Sequence, residues 1–451
     1  MVNAGSNTAG AMIWAKPMGT ATAPLVFLGF AAFLILFNVL DMESALAGWL
    51  ATHYAAAAPG HPMPRPLPLR LAETAWLLLL GGAAIRLLRF GMVWAGLAVA
   101  ADIGLTAWTG WALVLRFSRL FDAASVSLAL ALLGLVMAAT WALSLWLARL
   151  SLRLAFADSL PPASIERIVR TPSLLKADGE VRDCTYLVCG VRGLAGLGAA
   201  FRDDPAAFTR LMQRLLSPLM DQALAHGGTI DRLTADGFAA FWNAPLDDPA
   251  HATHACEAAS GMAAMAARVN DALAGQTRAD GSALPALEIG VGLATGPVIA
   301  GAFGGQGRMG YSVNGEAVTL ATRIQALSHQ YGPAVIVSHA TREAAERSFA
   351  FLEVDTVAAG ADEPPVTLHA ILGNPVLKAS PKFRALATFH DHIFQALRKQ
   401  QWRQARALIE QCRKLSGASP RLYDLHLGRI GYFERNPPGE NWDGAFRPIL
   451  K

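Results

Sequence analysis

Nearly all the long apolar runs of this chain fall between residues 24 and 147, while the remainder reads as an ordinary soluble protein. That division constrains the fold first, because a helix needs about 20 apolar residues to cross a bilayer. Four stretches are candidate spans: residues 24–40, 71–85, 91–115 and 123–147. The second is short and carries Glu73, and Asp102 falls in the middle of the third. An ionisable group there is costly and points to function or to a helix contact. Lys16, Arg86, Arg89, Arg149 and Arg153 flank the stretches. With four spans, these basic flanks place both ends of the chain in the cytoplasm. Arg116 and Arg119 fall on the far side and oppose that orientation. The proline cluster at 61–68 reads as a stiff extended turn. The expectation is a multi-pass protein of the inner (plasma) membrane, embedded in the lipid bilayer, with residues after 150 in the cytoplasm.

Composition supports this. Hydrophobic residues make up 53% of the 451 and charged ones only 16%, unusual for a soluble chain. The net charge of +4, without a basic stripe interleaved with aromatics, excludes a nucleic-acid surface. The cysteines at 184, 189, 256 and 412 form no CxxC pair and have no histidines at zinc spacing. Cys184 and Cys189 lie in an apolar strand and read as small buried hydrophobes.

After the apolar region, Pro161-Pro162 opens a short helical segment running to about Val169. Residues 181–372 then alternate strand and helix. Strands are expected at 184–189, 229–233, 238–242, 287–293, 311–313, 334–338, 351–354 and 367–372, with helices at about 203–226, 249–275, 316–330 and 340–348. That order gives an α/β sandwich on a mixed sheet. Gly301 to Gly307 lacks the Lys-Ser/Thr ending of a phosphate loop and reads as a hairpin connection. His251 and His254 lack a carboxylate set for metal binding. Residues 381–435 are helical, with antiparallel helices at about 389–408 and 422–433. A single such hairpin cannot stand alone, so it must dock on the preceding domain or on a dimer partner.

Several separate segments carry chemistry. They are Asp183 to Gly193, a buried strand entering a turn; Gly227 to Pro245, a hairpin with Asp236 at its tip; Arg308 to Val313; and the helix Glu316 to Arg323. In order, they resemble the class III adenylyl and guanylyl cyclases. The resemblance covers about residues 155–372, with a weaker likeness at 420–445. Together with the apolar region, on which the resemblance says nothing specific, it gives three parts: an N-terminal α-helical membrane region of residues 1–149, joined by a coupling helix and linker at 150–180; an α/β cyclase domain at 181–372, with a ferredoxin-like mixed sheet and flanking helices; and a short α-helical tail at 373–451.

It also implies a site. The family bridges two divalent ions, Mg or Mn, with two aspartates, at positions 190 and 236 of this chain. Asp236 matches, but the other position is Gly190. The base-reading positions are Arg232, where the family has lysine, and Ser312, where adenylyl cyclases carry aspartate or threonine. Serine keeps a hydroxyl able to accept from an adenine amino group. The family places an asparagine that orients the ribose and an arginine that stabilises the transition-state phosphate at positions 319 and 323; here these are Thr319 and Arg323, four apart on one helix face. By their residue types alone, Asp236 also suits an ordinary turn, Ser312 a strand and Arg323 a solvated helix.

The family forms its site between two subunits, the aspartates from one and the asparagine and arginine from the other. Losses here fall in both halves, so a homodimer would hold two damaged sites, and a heterodimer at least one damaged half in each. Three functions follow from the resemblance. One is a membrane-anchored cyclase-family protein of impaired catalysis, acting as a regulatory partner that retains affinity for ATP or another nucleoside triphosphate. Another is a divergent active cyclase converting ATP to cAMP with a single metal or with substitute ligands such as Asp231 or Glu316. The third is a non-catalytic dimerisation module.

Overall fold

The computed structural model describes residues 28–30, 32, 48–49, 52, 67–117, 119, 121–176, 178–193, 198–199, 201–275, 286–305, 308–358, 364–414, 419–439 and 442–447. The described residues divide into one compact unit up to Leu152 and another from Arg153 onward.

In the first unit, Leu67–Leu87 (α1), Met92–Phe117 (α2) and Ala123–Phe156 (α3, which runs on into the second unit) are helices. Among the described residues, α2 and α3 are long and apolar enough to cross a membrane. Helix α1 falls short of that, because Arg70, Glu73 and Arg86 interrupt its 21 residues. The stretch expected at 24–40 lies almost wholly outside the described residues. Glu73 is buried and accepts from the backbone N–H of Asp122, itself buried and bonded to both the amide and the hydroxyl of Ser125. These pairings satisfy carboxylates that would otherwise be costly away from water. Asp102 Oδ2 is buried without a hydrogen-bond partner.

The second unit opens with Pro162–Arg170 (α4), whose N-cap and first position are both prolines. Proline fits there because the first-turn N–H has no intrahelical partner. A mixed sheet follows, built from β1 (Glu180–Arg192), β2 (Thr229–Thr234), β3 (Gly237–Trp242), β4 (Glu288–Gly305), β5 (Arg308–Asn314), β6 (Val335–Ser338), β7 (Ala350–Val357) and β8 (Val366–Gly373). The spatial order is β2-β3-β1-β4-β6-β8-β7, with β5 paired to β4. Only β4 and β6 run parallel; the other pairs are antiparallel. The strands lie where expected, but β1 and β4 are much longer, because they pair with each other from Glu180↔Ala300 to Arg192↔Glu288. The glycine-rich stretch is the end of the β4–β5 hairpin, with Gly305 paired to Arg308.

Alternation along the strands sorts their side chains between two faces. Leu187, Cys189 and Val191 of β1 and Ile289, Val291 and Leu293 of β4 share a core with Leu215 and Leu219 of Pro205–Ala225 (α5) and with Ala255, Ala259 and Met262 of His251–Leu273 (α6). On the other face lie the glycines 190, 290 and 292, over which Glu316–Tyr331 (α7) packs through Ala321, Gln325 and Ser328. A side chain at 290 or 292 would collide with that helix. Small residues on both partners let the helix sit close to the sheet.

The remaining helices are His339–Ala344 (α8), Pro375–Ala379 (α9), Pro381–Arg398 (α10), Trp402–Cys412 (α11) and Pro420–Arg435 (α12). The tail is therefore not one helical hairpin. The stretch read as a helix over 389–408 breaks at residues 399–401, where Gln400 takes φ +57°. A left-handed residue ends the helical hydrogen-bond ladder. The three tail helices pack on β7 through Leu352, Leu386, Ile393, Ile409 and Ile430. Polar groups tie the same surface. Asp355 accepts from Arg429 at 2.7 Å and from the Tyr331 hydroxyl at 2.7 Å. His390 meets the Tyr423 hydroxyl at 2.6 Å, and His426 meets the carbonyl of Val354 at 2.9 Å.

Candidate active site

The hairpin β2–β3 delivers Asp236 to the end of β1. Its carbonyl accepts from the N–H of Val191 at 2.7 Å, and its Oδ1 from the hydroxyl of Thr234 at 2.7 Å. Gly190 stands beside it, paired with Gly237 on one side and Gly290 on the other. A Cβ at position 190 would lie 3.8 Å from the carbonyl oxygen of Asp236 and 2.5 Å from Nε2 of Gln325. So the two positions expected to carry carboxylates are neighbours, and the amide of Gln325 occupies the space of the missing one. Gly190, Arg232, Thr234, Asp236, Thr322 and Gln325 line a cavity of about 250 Å³. Cys189 borders it too, but burial pushes its thiol up to about 12, so it is no nucleophile.

Arg232 and Ser312 come together through two residues that the sequence did not single out as their link. Strand β2 carries a bulge: the register passes from Ile230↔Ala240 to Arg232↔Ala239 and leaves Asp231 unpaired. A bulge re-aims the side chain it carries. Asp231 accepts from the Tyr186 hydroxyl at 2.5 Å and from the Ser312 hydroxyl. Arg232 in turn donates to the Tyr186 oxygen at 3.1 Å, and its Nε lies 3.6 Å from Asp231 Oδ2. Burial, then the bond to Asp231, holds the Tyr186 phenol well above its ordinary range, so it stays a donor.

Thr319 and Arg323 lie exposed on α7 and do not line this cavity. One turn along, Thr322 and Gln325 of the same helix do. The helix thus faces the carboxylate position with one pair and solvent with the other. Gln325 was legible only indirectly: a glycine flanked by two glycines asks for something to cover it.

The family's two-metal centre needs paired carboxylates bridging ions roughly 3.5–4 Å apart. The residues present do not fit it. Asp236 has no carboxylate neighbour at 190, an amide fills that space, and among the described residues no cluster of three or more His, Cys, Asp or Glu could hold a metal. The candidate substitutes do not replace it: Asp231 is engaged by two hydroxyls, and Glu316 is exposed at the start of α7. His251 and His254 are bonded to Thr185 and Asp248.

Residues 202–369 match the adenylate and guanylate cyclase catalytic domain. The matched segment begins after β1, so the strand bearing Gly190 precedes it. Adenylate cyclase 1 of Rhizobium meliloti is 27% identical over 170 residues, 38% of this chain and 25% of that protein. An adenylate cyclase of Anabaena cylindrica is 30% identical over 157 residues, 35% of this chain and 30% of that one. The chain thus spans about a quarter to a third of the length of these relatives. Among solved structures, the guanylyl cyclase Cya2 is 27% identical and covers 44% of this chain and 94% of its own, with a TM-score of 0.39. The adenylyl cyclase CyaB from P. aeruginosa is 25% identical, covering 43% and 95%, with a TM-score of 0.38. With the motifs in order along the mixed sheet, and Asp236 beside position 190, residues 202–369 of this chain are a class III adenylyl and guanylyl cyclase catalytic domain.

Proposed function

We propose that this is a membrane-anchored member of the cyclase family whose own catalysis is impaired, and that it acts in cyclic-nucleotide signalling as a nucleotide-binding regulatory partner of another cyclase chain. One observation carries the reading: the place of the second carboxylate holds the amide end of Gln325 against Gly190. Cyclisation is an in-line attack of the ribose 3′-oxygen on the α-phosphorus, and its barrier falls when metal ions acidify the nucleophile and neutralise phosphate charge. A site without paired carboxylates cannot assemble those ions. What remains can still bind. Arg232 offers a cation and Ser312 a hydroxyl to the base, while Asp236 lines the cavity beside the position of the lost partner. Arg323 stands on the exposed face of α7, where the family's architecture would present it to a partner subunit. The membrane reading rests on α2 and α3.

The test is cyclic nucleotide production by the full-length chain in detergent, with ATP and with GTP, each with Mn²⁺. The expected outcome is no product above the blank. A Gly190→Asp variant is expected to bind Mn²⁺ more tightly than the parent. Product from the parent that Asp236→Ala abolishes would overturn the reading and make the chain a divergent working cyclase.

A further inference from the structure

Positive charge gathers where the chain leaves its apolar region. Between residues 149 and 176 stand Arg149, Arg153, Arg167, Arg170 and Lys176 against Asp158 and Glu166. Burial of Ile168 and Val169 fixes the rotation of α4, so Arg167 and Arg170 face outward. One carboxylate gathers two of the cations. Glu166 accepts from Arg153 Nη2 at 3.0 Å through one oxygen and from Arg170 Nε at 3.1 Å through the other. A guanidinium has five N–H donors, and this pairing engages one on each arginine. Both side chains stay open to solvent, Arg153 at 54% and Arg170 at 77% exposed. An exposed ion pair of this kind contributes little to stability, so a second anion can take the place of Glu166 between the two arginines.

Depth along α3 selects that anion. Arg153 lies six residues beyond the end of the apolar stretch 123–147, about 9 Å along the helix. The headgroup layer adds roughly 5–8 Å to each side of the hydrocarbon core, and the long arginine stem reaches back across the difference. Leu154, 68% exposed, shares a helix face with Leu147 and carries the open apolar stripe to the same level. We propose that Arg153 and Arg170 clamp the phosphate of an anionic phospholipid headgroup, which displaces Glu166. This rests on the reading that α2 and α3 cross a membrane. A zwitterionic headgroup brings its own cation and competes poorly with Glu166, whereas a net-negative one is drawn to clustered arginines beside a span. Displacement releases the ion-pair link between the end of α3 and α4. The charge of the leaflet is thereby read at the entry to the cyclase domain.

The test is displacement of a fluorescent short-chain phosphatidylglycerol from the full-length chain in neutral detergent. The competitors are unlabelled phosphatidylglycerol, phosphatidylcholine of the same chain length, and inorganic phosphate. The parent is expected to prefer phosphatidylglycerol over phosphatidylcholine by about tenfold. Arg153→Gln and Arg170→Gln should each weaken phosphatidylglycerol about fivefold, the scale of one basic residue at an anionic surface. Glu166→Gln, which removes the resident competitor, should strengthen it by a similar factor. Arg167→Gln, exposed on the same helix but outside the clamp, should leave it nearly unchanged. Loss in Arg167→Gln equal to that in Arg153→Gln would show diffuse attraction and overturn the clamp, as would a Glu166→Gln variant that binds no better than the parent. Inorganic phosphate that displaces the probe as well as the lipid does would overturn the choice of a headgroup. Flotation of the chain with phosphatidylcholine vesicles after a carbonate wash separates the two readings. A chain that floats but shows no headgroup preference overturns this inference alone, and one that does not float overturns the membrane reading and this inference with it.

Discussion

Three glycines of the central strands look alike in sequence and differ in what a side chain would meet. At Gly190 the nearest atom is the far end of a flexible glutamine. At Gly237 it is the backbone carbonyl of Cys189, and at Gly292 the backbone of α7 at Ala321 and Gln325. Backbone cannot yield as a glutamine can. Gly190→Asp is therefore expected to leave the denaturant midpoint nearly unchanged, while Gly237→Ala and Gly292→Ala each lose about 3 kcal/mol from forced repacking. Equal losses at all three positions would refute that distinction. Asp236, Arg232 and Ser312 were legible as candidates only through the family resemblance of their segments. Tyr186 and Gln325 were not, since their roles depend on a strand register and a helix packing that only the fold defines.

At the scale of elements, strand and helix positions were legible from apolar alternation, and the sheet order and the lengths of β1 and β4 were not, because cross-strand pairing sets them. The tail was misread at residues 399–401, where Gln400 adopts a left-handed conformation that its residue type does not announce. Docking of the tail depends on buried polar groups. Arg429 and Asp355 are both nearly buried. Removing one partner strands the other, so Arg429→Ala should cost about 3 kcal/mol and expose α10–α12 to hydrogen exchange before the rest of the domain. The histidines give the same surface an acid limit. Burial lowers His390 to about 4 and His369 to about 3, and lowers His426 as well. A histidine depressed in the folded state contributes stability that is fully present above its unfolded value and is lost as pH falls through the folded one. The loss begins below about pH 6.5 and continues through 4 and then 3. Glu353 runs the other way: burial raises it to about 7, so its contribution is present below its unfolded value and is lost as pH rises through 7. Thermal unfolding followed from pH 4 to 8 should therefore show an acid arm shallower in His390→Gln, and an alkaline arm absent in Glu353→Gln.

For the molecule as a whole, the two apolar helices and the cyclase domain make separate compact units within one chain. The full-length protein is expected to stay with the membrane pellet after alkaline carbonate washing, as a chain with spans would. Recovery in the supernatant would remove the membrane part of the reading. The apolar segregation was plain from sequence alone. The shortfall of α1 showed in the sequence only as a short stretch carrying Glu73, whereas the pairing of that Glu73 with Asp122, 49 residues away, was not legible.

The soft surroundings of Gly190 have a consequence in the genetic code. Every glycine codon becomes an aspartate or glutamate codon by changing its second base from G to A. A single point mutation would thus return a carboxylate to position 190, where only the end of one glutamine must move aside. The same change at Gly237 or Gly292 would drive a side chain into backbone. Random mutagenesis under selection for cyclic nucleotide should therefore recover acidic replacements at 190 and none at Gly237 or Gly292.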